Sequence, residues 1–374
     1  MRWSRQAYLE HLLGIHSERE MFVELFGPLL GTDAAWREQG AREEEIDLTA
    51  FAFDHIPQFA APVDLGPHSG LPEREVLSET PALLRFRDGF GRVMELPKKT
   101  ATLPLPRDYP VKGPADWERV RPWFAFSEDR VDAARVADCA RQRKEEDGVV
   151  RFPIWGGYDF LRNLMGDEEA CLAFIEEPEM VEDMLATVGD LAAACLDRIA
   201  GTLPLDVLFV HEDFAGKSGP LVGPAHVRAF LAPYYRRLWE KARRLGARIF
   251  DLDSDGFVDP VVEALIEGGV NCLHPVEPAA GSDPVALRKR FGPGLILRGG
   301  LDKFALTRGK AAIDAEIAYK CQSPLRGGGM MFGLDHRIPS EVPVEAYRYY
   351  VRAARAALGL PPPEQDSPGW RRMA

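Results

Sequence analysis

Cysteine is scarce: the 374 residues hold five, at positions 139, 171, 195, 272 and 321, and no two stand in CxxC spacing. Neither a disulfide framework nor a thiolate zinc cluster is signalled, and reduced, mostly buried thiols are expected. Long apolar runs are missing too. No stretch of about 18 apolar residues occurs, and the opening MRWSRQAYLEHLLGIHSERE is interrupted by charge too often for a signal-peptide core. No membrane contact is expected, and the cytoplasm is the compartment assigned. Positive charge is in deficit, 46 Lys and Arg against 58 Asp and Glu, for a net charge of -12. That balance opposes attraction to a phosphate backbone and excludes nucleic acid as the expected partner. No GxGxxG follows a strand and opens a helix, and no GK[ST] loop occurs; Gly327 to Gly329 precede an apolar run and read as a turn. No nucleotide cofactor is therefore expected. Neither GxSxG nor a Cys/His nucleophile pair stands out.

What is present is a large, ordinary globular composition, 46% apolar and 28% charged. Such a length suits one elaborated (β/α)8 barrel, an α/β fold, over residues 1–360 with a loose Pro- and Gly-rich tail over 361–374. The part before residue 125 is irregular. It opens with a helix expected from about Ser4 to Phe26, and ALLRFRDGFGRVMELPKK alternates around Asp88-Gly89 as a β-hairpin does. From residue 126 the pattern becomes regular. Six short apolar runs, VVRFPIWGGY, DVLFVHED, ARIFDLDSD, VNCLHPVE, GLILRGGLD and GGMMFGLDH, alternate with segments whose apolar residues recur at three- and four-residue spacing. That alternation predicts a parallel sheet wrapped in helices.

Almost every one of these strands ends in charge. DVLFV runs into His211-Glu212-Asp213, RIF into Asp251, Asp253 and Asp255, and NCL into His274 and Glu277. LIL runs into Arg298 and Asp302, and MMFGL into Asp335-His336. A strand leaving a core turns polar simply on meeting solvent, so one such residue says little. In a barrel, however, all strand C-termini open onto one face, and acid repeated at five exits, with histidine at three of them, predicts a catalytic ring there. His211, Glu212, Asp213, Asp335 and His336 are its catalytic candidates, with Asp335 placed to orient or charge His336 for general acid or base work. Asp253 and Asp255 share a strand face and are expected either to crowd their charges at the mouth or to cap the helix beginning near Pro260.

In their joint order, several pieces resemble the uroporphyrinogen decarboxylase superfamily, which also contains corrinoid-dependent thiol methyltransferases. They are DVLFVHEDFAGKSGP at 206–220, FLAPYY at 230–235, Gly268 to Pro275, Gly299-Gly300-Leu301-Asp302 and DHRIPSEVP at 335–343. The resemblance spans about Tyr109 to Leu358 and implies a distorted barrel with a deep cleft at the strand C-termini. The methyltransferases carry a zinc site of His-x-Cys and a later Cys, and the matching positions here are Asp253, Asp255 and His336. Both cysteines are replaced, leaving a harder donor set for a divalent metal, zinc being the first choice. The decarboxylases hold substrate carboxylates with an RQAGRY-like segment. Here Arg5-Gln6-Ala7 is not followed by Gly-Arg-Tyr, the motif serine is replaced by Asp213, and Tyr158 or Arg162 falls near the family tyrosine.

Two enzymatic readings follow, and one without catalysis. In the first, a corrinoid-linked methyltransferase acts on a small substrate, with Asp253, Asp255 and His336 binding a metal or polarising the substrate, His211 and Glu212 assisting proton transfer, and a corrinoid protein docking at the mouth. In the second, a decarboxylase or lyase of a small acid uses His336 as proton donor and Arg298 as carboxylate clamp, with Tyr158, Arg162 and Glu277 also contacting substrate. The third is a barrel that binds a ligand without turnover. The sequence assigns no oligomeric state; a dimer is compatible with it.

Overall fold

A computed structural model describes every residue except 102, 364–372 and 374. Eight parallel strands form one sheet: β1 (Met21–Phe22), β2 (Gln58–Ala60), β3 (Val149–Trp155), β4 (Val207–His211), β5 (Ile249–Asp253), β6 (Cys272–Val276), β7 (Ile296–Leu301) and β8 (Met330–Leu334). Each pairs with its chain neighbours from β2 to β8, and β1 pairs back onto β8 through Met21–Met331 and Phe22–Phe332. The Asp54 backbone N–H donates to the Phe22 carbonyl at 2.8 Å, closing β1 towards β2. The result is the (β/α)8 barrel that the alternation predicts.

The inward side of each strand is legible in the packing. Val149, Val207, Ile249, Cys272, Ile296 and Met331 share one apolar cluster with Tyr8, Leu9 and Leu12 of the first helix. Their neighbours Val150, Leu208, Phe250, Leu273, Leu297 and Phe332 instead join the cluster packed beneath the outer helices. With side chains alternating along a strand, odd positions of β3 to β5 face the lumen. Arg151, Phe209 and Asp251 are thus one layer above the apolar floor, and His211 and Asp253 one layer above that, at the mouth.

Of two expectations for the first third, one is corrected and one holds within a larger sheet. The opening helix covers only Arg5–Leu12, because Gly14 takes φ +63 and the apolar run MFVEL at 21–25 is used as β1 and its extension. The hairpin at Asp88-Gly89 is present, but as the centre of a four-stranded antiparallel sheet, Arg74–Glu79, Leu83–Asp88, Val93–Pro97 and Leu105–Asp108. This sheet has a small core of its own, Leu84, Phe86 and Met94. It leans on the barrel mouth, where Phe90 meets the Trp155 ring edge-on at 5.7 Å and Arg92 donates to the Asn163 amide oxygen. The tail expected over 361–374 lies mostly outside the described residues; within it, Met373 is buried against the lumen cluster and its carbonyl accepts from Arg298. Among the described residues, no helix is long and apolar enough to cross a membrane.

Candidate active site at the barrel mouth

The chain turns sharply from β3 into the helix Gly157–Met165. At Gly156 a Cβ would stand 2.3 Å from the His211 carbonyl oxygen and 2.9 Å from the Glu212 carboxyl carbon, so only glycine allows this approach. Glu212 uses it. Its carboxylate is fully buried and accepts from three successive backbone N–H groups at the start of that helix: Gly157 at 2.5 Å, Tyr158 at 2.8 Å and Asp159 at 3.0 Å. An acid at a helix N-terminus satisfies orphan donors and the helix dipole together. Burial nevertheless pushes the Glu212 carboxyl up to about 8. Glu212 therefore holds a helix rather than facing the cleft.

That helix presents Asp159 and Arg162. Asp159 accepts from His211 Nδ1 at 2.6 Å and pairs with Arg162 Nε at 2.5 Å, while Asp213 stands 3.7 Å from His211 Nε2 and 3.6 Å from Arg162. The hydrogen bond to Asp159 raises the His211 imidazole to about 9, so it is charged at neutral pH. Asp253, one strand away, is pushed up to about 7 by burial. His211 and Asp159 line a cavity of about 430 Å³ with Val63, Leu65, Pro153, Trp155 and Phe209.

Across the mouth lies a second His–Asp pair. His336 Nε2 is 3.5 Å from Asp255, and its ring stacks on Phe26 at 4.5 Å; Phe26 also stacks on His274 at 5.5 Å. The bond to Asp255 raises the His336 imidazole and lowers the Asp255 carboxyl. Asp335, expected to orient His336, serves Lys303 instead: it accepts from the Lys303 backbone N–H and Nζ, each at 2.9 Å. Glu277 takes the other side of that ammonium at 3.0 Å and accepts from the Gly256 N–H at 3.0 Å. Burial opposes charge on Lys303, but the two carboxylates outweigh it and hold its pKa above the usual value, while burial lifts Asp335 to about 6.

The remaining expected residues are spread out. Arg298 is not a clamp at the mouth: it is buried in the lumen, paired with Asp251 and the Met373 carbonyl, with His274 Nδ1 at 3.3 Å. Tyr158 is buried with its hydroxyl donating to Asp167 at 2.8 Å, away from the cleft. Neither Asp253 nor Asp255 caps a helix; the helix Val262–Glu267 has no side-chain cap. Asp253 stands 3.9 Å from His274, whereas Asp255 meets His336. Among the described residues, no group of three His, Cys, Asp or Glu side chains is arranged to hold a metal. The donor set Asp253, Asp255 and His336 is thus not gathered around one point.

Two central residues escaped the strand-exit reading. Asp159 lies inside a helix, with Arg162 three residues on as its only sequence signal, and Lys303 follows Asp302 by one position at the exit of β7.

Known proteins now place this mouth in a lineage. The family model for Uroporphyrinogen decarboxylase (URO-D) matches residues 83–357. The chain belongs to the uroporphyrinogen decarboxylase family. A uroporphyrinogen decarboxylase of Pelobacter propionicus is 25% identical over 318 residues, covering 80% of this chain and 85% of that one. A methyltransferase from Methanosarcina mazei shares the fold with a TM-score of 0.59 at 16% identity, over 96% of this chain and 98% of that chain. Family membership accounts for the barrel. One relative is a decarboxylase and a protein of the same fold is a methyltransferase, so the reaction has to be argued from the residues at the mouth.

Proposed function

We propose that this member of the family is a proton-transferring enzyme, a decarboxylase or lyase of a small carboxylic acid, with the charged His211 as proton donor. The observation that supports this most is the His211–Asp159 hydrogen bond on the wall of the 430 Å³ cavity. Arg162 stands beside the cavity rather than in its lining, 3.6 Å from Asp213, and its guanidinium takes a substrate carboxylate where that group displaces Asp213. Loss of CO2 breaks the carbon–carboxylate bond and leaves its electron pair on a substrate carbon, taken up by the substrate's own conjugation. His211 then gives its proton to that carbon, and Asp253, half-protonated near neutral pH, stands ready to restore it. Asp159 keeps the imidazole oriented and charged. The decarboxylase from Pelobacter propionicus, similar along most of its length, is consistent with this reading.

The test is CO2 release from a panel of small carboxylic acids. His211→Gln is expected to lower kcat by about 10² or more, the usual worth of a positioned acid. Because His211 must be charged to act, the rate of the parent enzyme falls as pH rises through about 9. Undiminished turnover by His211→Gln would overturn the proposal.

A second reading is methyl transfer with a corrinoid protein at the open mouth. The methyltransferase neighbour and the half-buried His336–Asp255 pair at the mouth favour it. It predicts a stoichiometric divalent ion, zinc first, that draws Asp253, Asp255 and His336 together from their separate places and is lost in both Asp253→Ala and His336→Ala. Mass spectrometry of protein purified without added metal or chelator checks this, and metal retained in both variants would count against it.

A further inference from the structure

We infer that the cavity beside His211 selects a ring-bearing acid with a single negative charge, rather than a chain or ring carrying several carboxylates. The inference rests on the reading of this cleft as the substrate site and adds the chemical class it takes.

The walls carry the argument. Of the residues that line the cavity, only Asp159 and His211 are titratable, and neither lysine nor arginine is among them. Trp155 forms one side, and its indole N–H is committed to the Leu65 carbonyl at 2.7 Å, so the ring offers an apolar surface and no donor. Its position is fixed twice more, by the Phe90 ring at 5.7 Å and by the Tyr234 hydroxyl on its own carbonyl at 2.8 Å. Phe209 forms another side and is backed by the Arg151 guanidinium 3.9 Å from its ring centre. Rigid aromatic walls suit a flat ligand that stacks or packs edge-on. A cavity of this volume falls in the range of about 300–1,000 Å³ that encloses small molecules.

Charge sets the other limit. Asp159 and Asp213 are balanced by His211 and Arg162, so the corner is neutral overall and holds a ligand carboxylate only where that group takes the place of Asp213, which stands 3.7 Å from His211 Nε2 and 3.6 Å from Arg162. A second or third carboxylate on the ligand meets apolar wall, or the carboxyls of Asp213 and Asp253, with no cation besides His211 among the lining residues. Burying an unpaired charge against such a wall is strongly unfavourable.

Calorimetric titration of the full chain with benzoate, 2-naphthoate and succinate at pH 7.5 tests this. Benzoate is expected to bind at least tenfold more tightly than succinate. Val63→Asp, which puts a carboxylate on the apolar wall, should weaken benzoate at least tenfold. Val63→Leu, which only narrows the cavity, should weaken 2-naphthoate more than benzoate and guards against a folding defect in the first variant. Succinate binding as tightly as benzoate, no binding of either aromatic acid, or unchanged affinities in both variants would overturn the inference. Failure of the proton-donor reading is separately visible: benzoate would still bind, while His211→Gln would retain full turnover.

Discussion

At the scale of single residues, the mouth is governed by what burial and neighbouring charge do to protons. Asp253 carries the clearest consequence for stability. Its carboxyl titrates near 7 in the fold, well above an ordinary aspartate, because it is largely withdrawn from water. Between the ordinary value and about 7 the unfolded chain has released this proton and the folded chain has kept it, so stability falls as pH rises through that window. Asp253→Asn removes the dependence. Thermal melts should therefore show the variant gaining on the parent as pH goes from 4 to 8; an equal difference at both ends would contradict the assignment. Sequence alone placed Asp253, His211, Asp213, Asp255 and His336 together at strand exits, since strand parity and the polar ends of apolar runs are local features. It did not separate Glu212 from His211, although adjacent residues on a strand face opposite sides. It also could not find Asp159, whose role depends on a helix folding back over the neighbouring strand.

The helix Gly157–Met165 shows how an element is aimed. Glu212 reaches from the end of β4 to its first three N–H groups, so the strand that carries His211 also anchors the helix that carries Asp159 and Arg162. Removing the anchor as Glu212→Ala leaves buried donors unsatisfied, at a cost of about 3 kcal/mol. Chemical denaturation is expected to show that loss, together with a drop of the His211 titration towards its ordinary range as Asp159 loses its fixed place. A variant as stable as the parent would show the cap to be dispensable. Among the other elements, β3 to β8 were legible because each has five to seven residues bounded by helical periodicity. Strands β1 and β2, of two and three residues, have no period to read. The long helix expected at the start was a misreading of MFVEL, whose apolar residues fit either conformation until β8 pairs with them.

On the scale of the whole molecule, the barrel and the antiparallel sheet at 74–108 are unequal partners. The barrel has an apolar floor and eight strands paired in series from β2 round to β1, whereas the added sheet has only a three-residue core and an edge strand, Arg74–Glu79, exposed along its length. Stability is accordingly uneven, and local opening should follow it. Amide exchange is expected first in Arg74–Glu79, then in the rest of that sheet, and last in β3 to β8; uniform exchange across both would contradict the division. The same sheet sets Phe90 against Trp155, so the least protected part of the molecule is one that shapes the cleft. Only its central hairpin was readable from sequence, because its outer strands, Arg74–Glu79 and Leu105–Asp108, are too exposed to show apolar alternation.

The central claim is that Asp159 holds His211 in its charged form at the cavity wall. The direct measurement is the NMR titration of the His211 ring in the parent chain and in Asp159→Asn. A midpoint near 9 in the parent, falling towards the ordinary histidine range near 6.5 in the variant, is the predicted result. A parent midpoint already near 6.5, or one that Asp159→Asn leaves unmoved, would contradict the account.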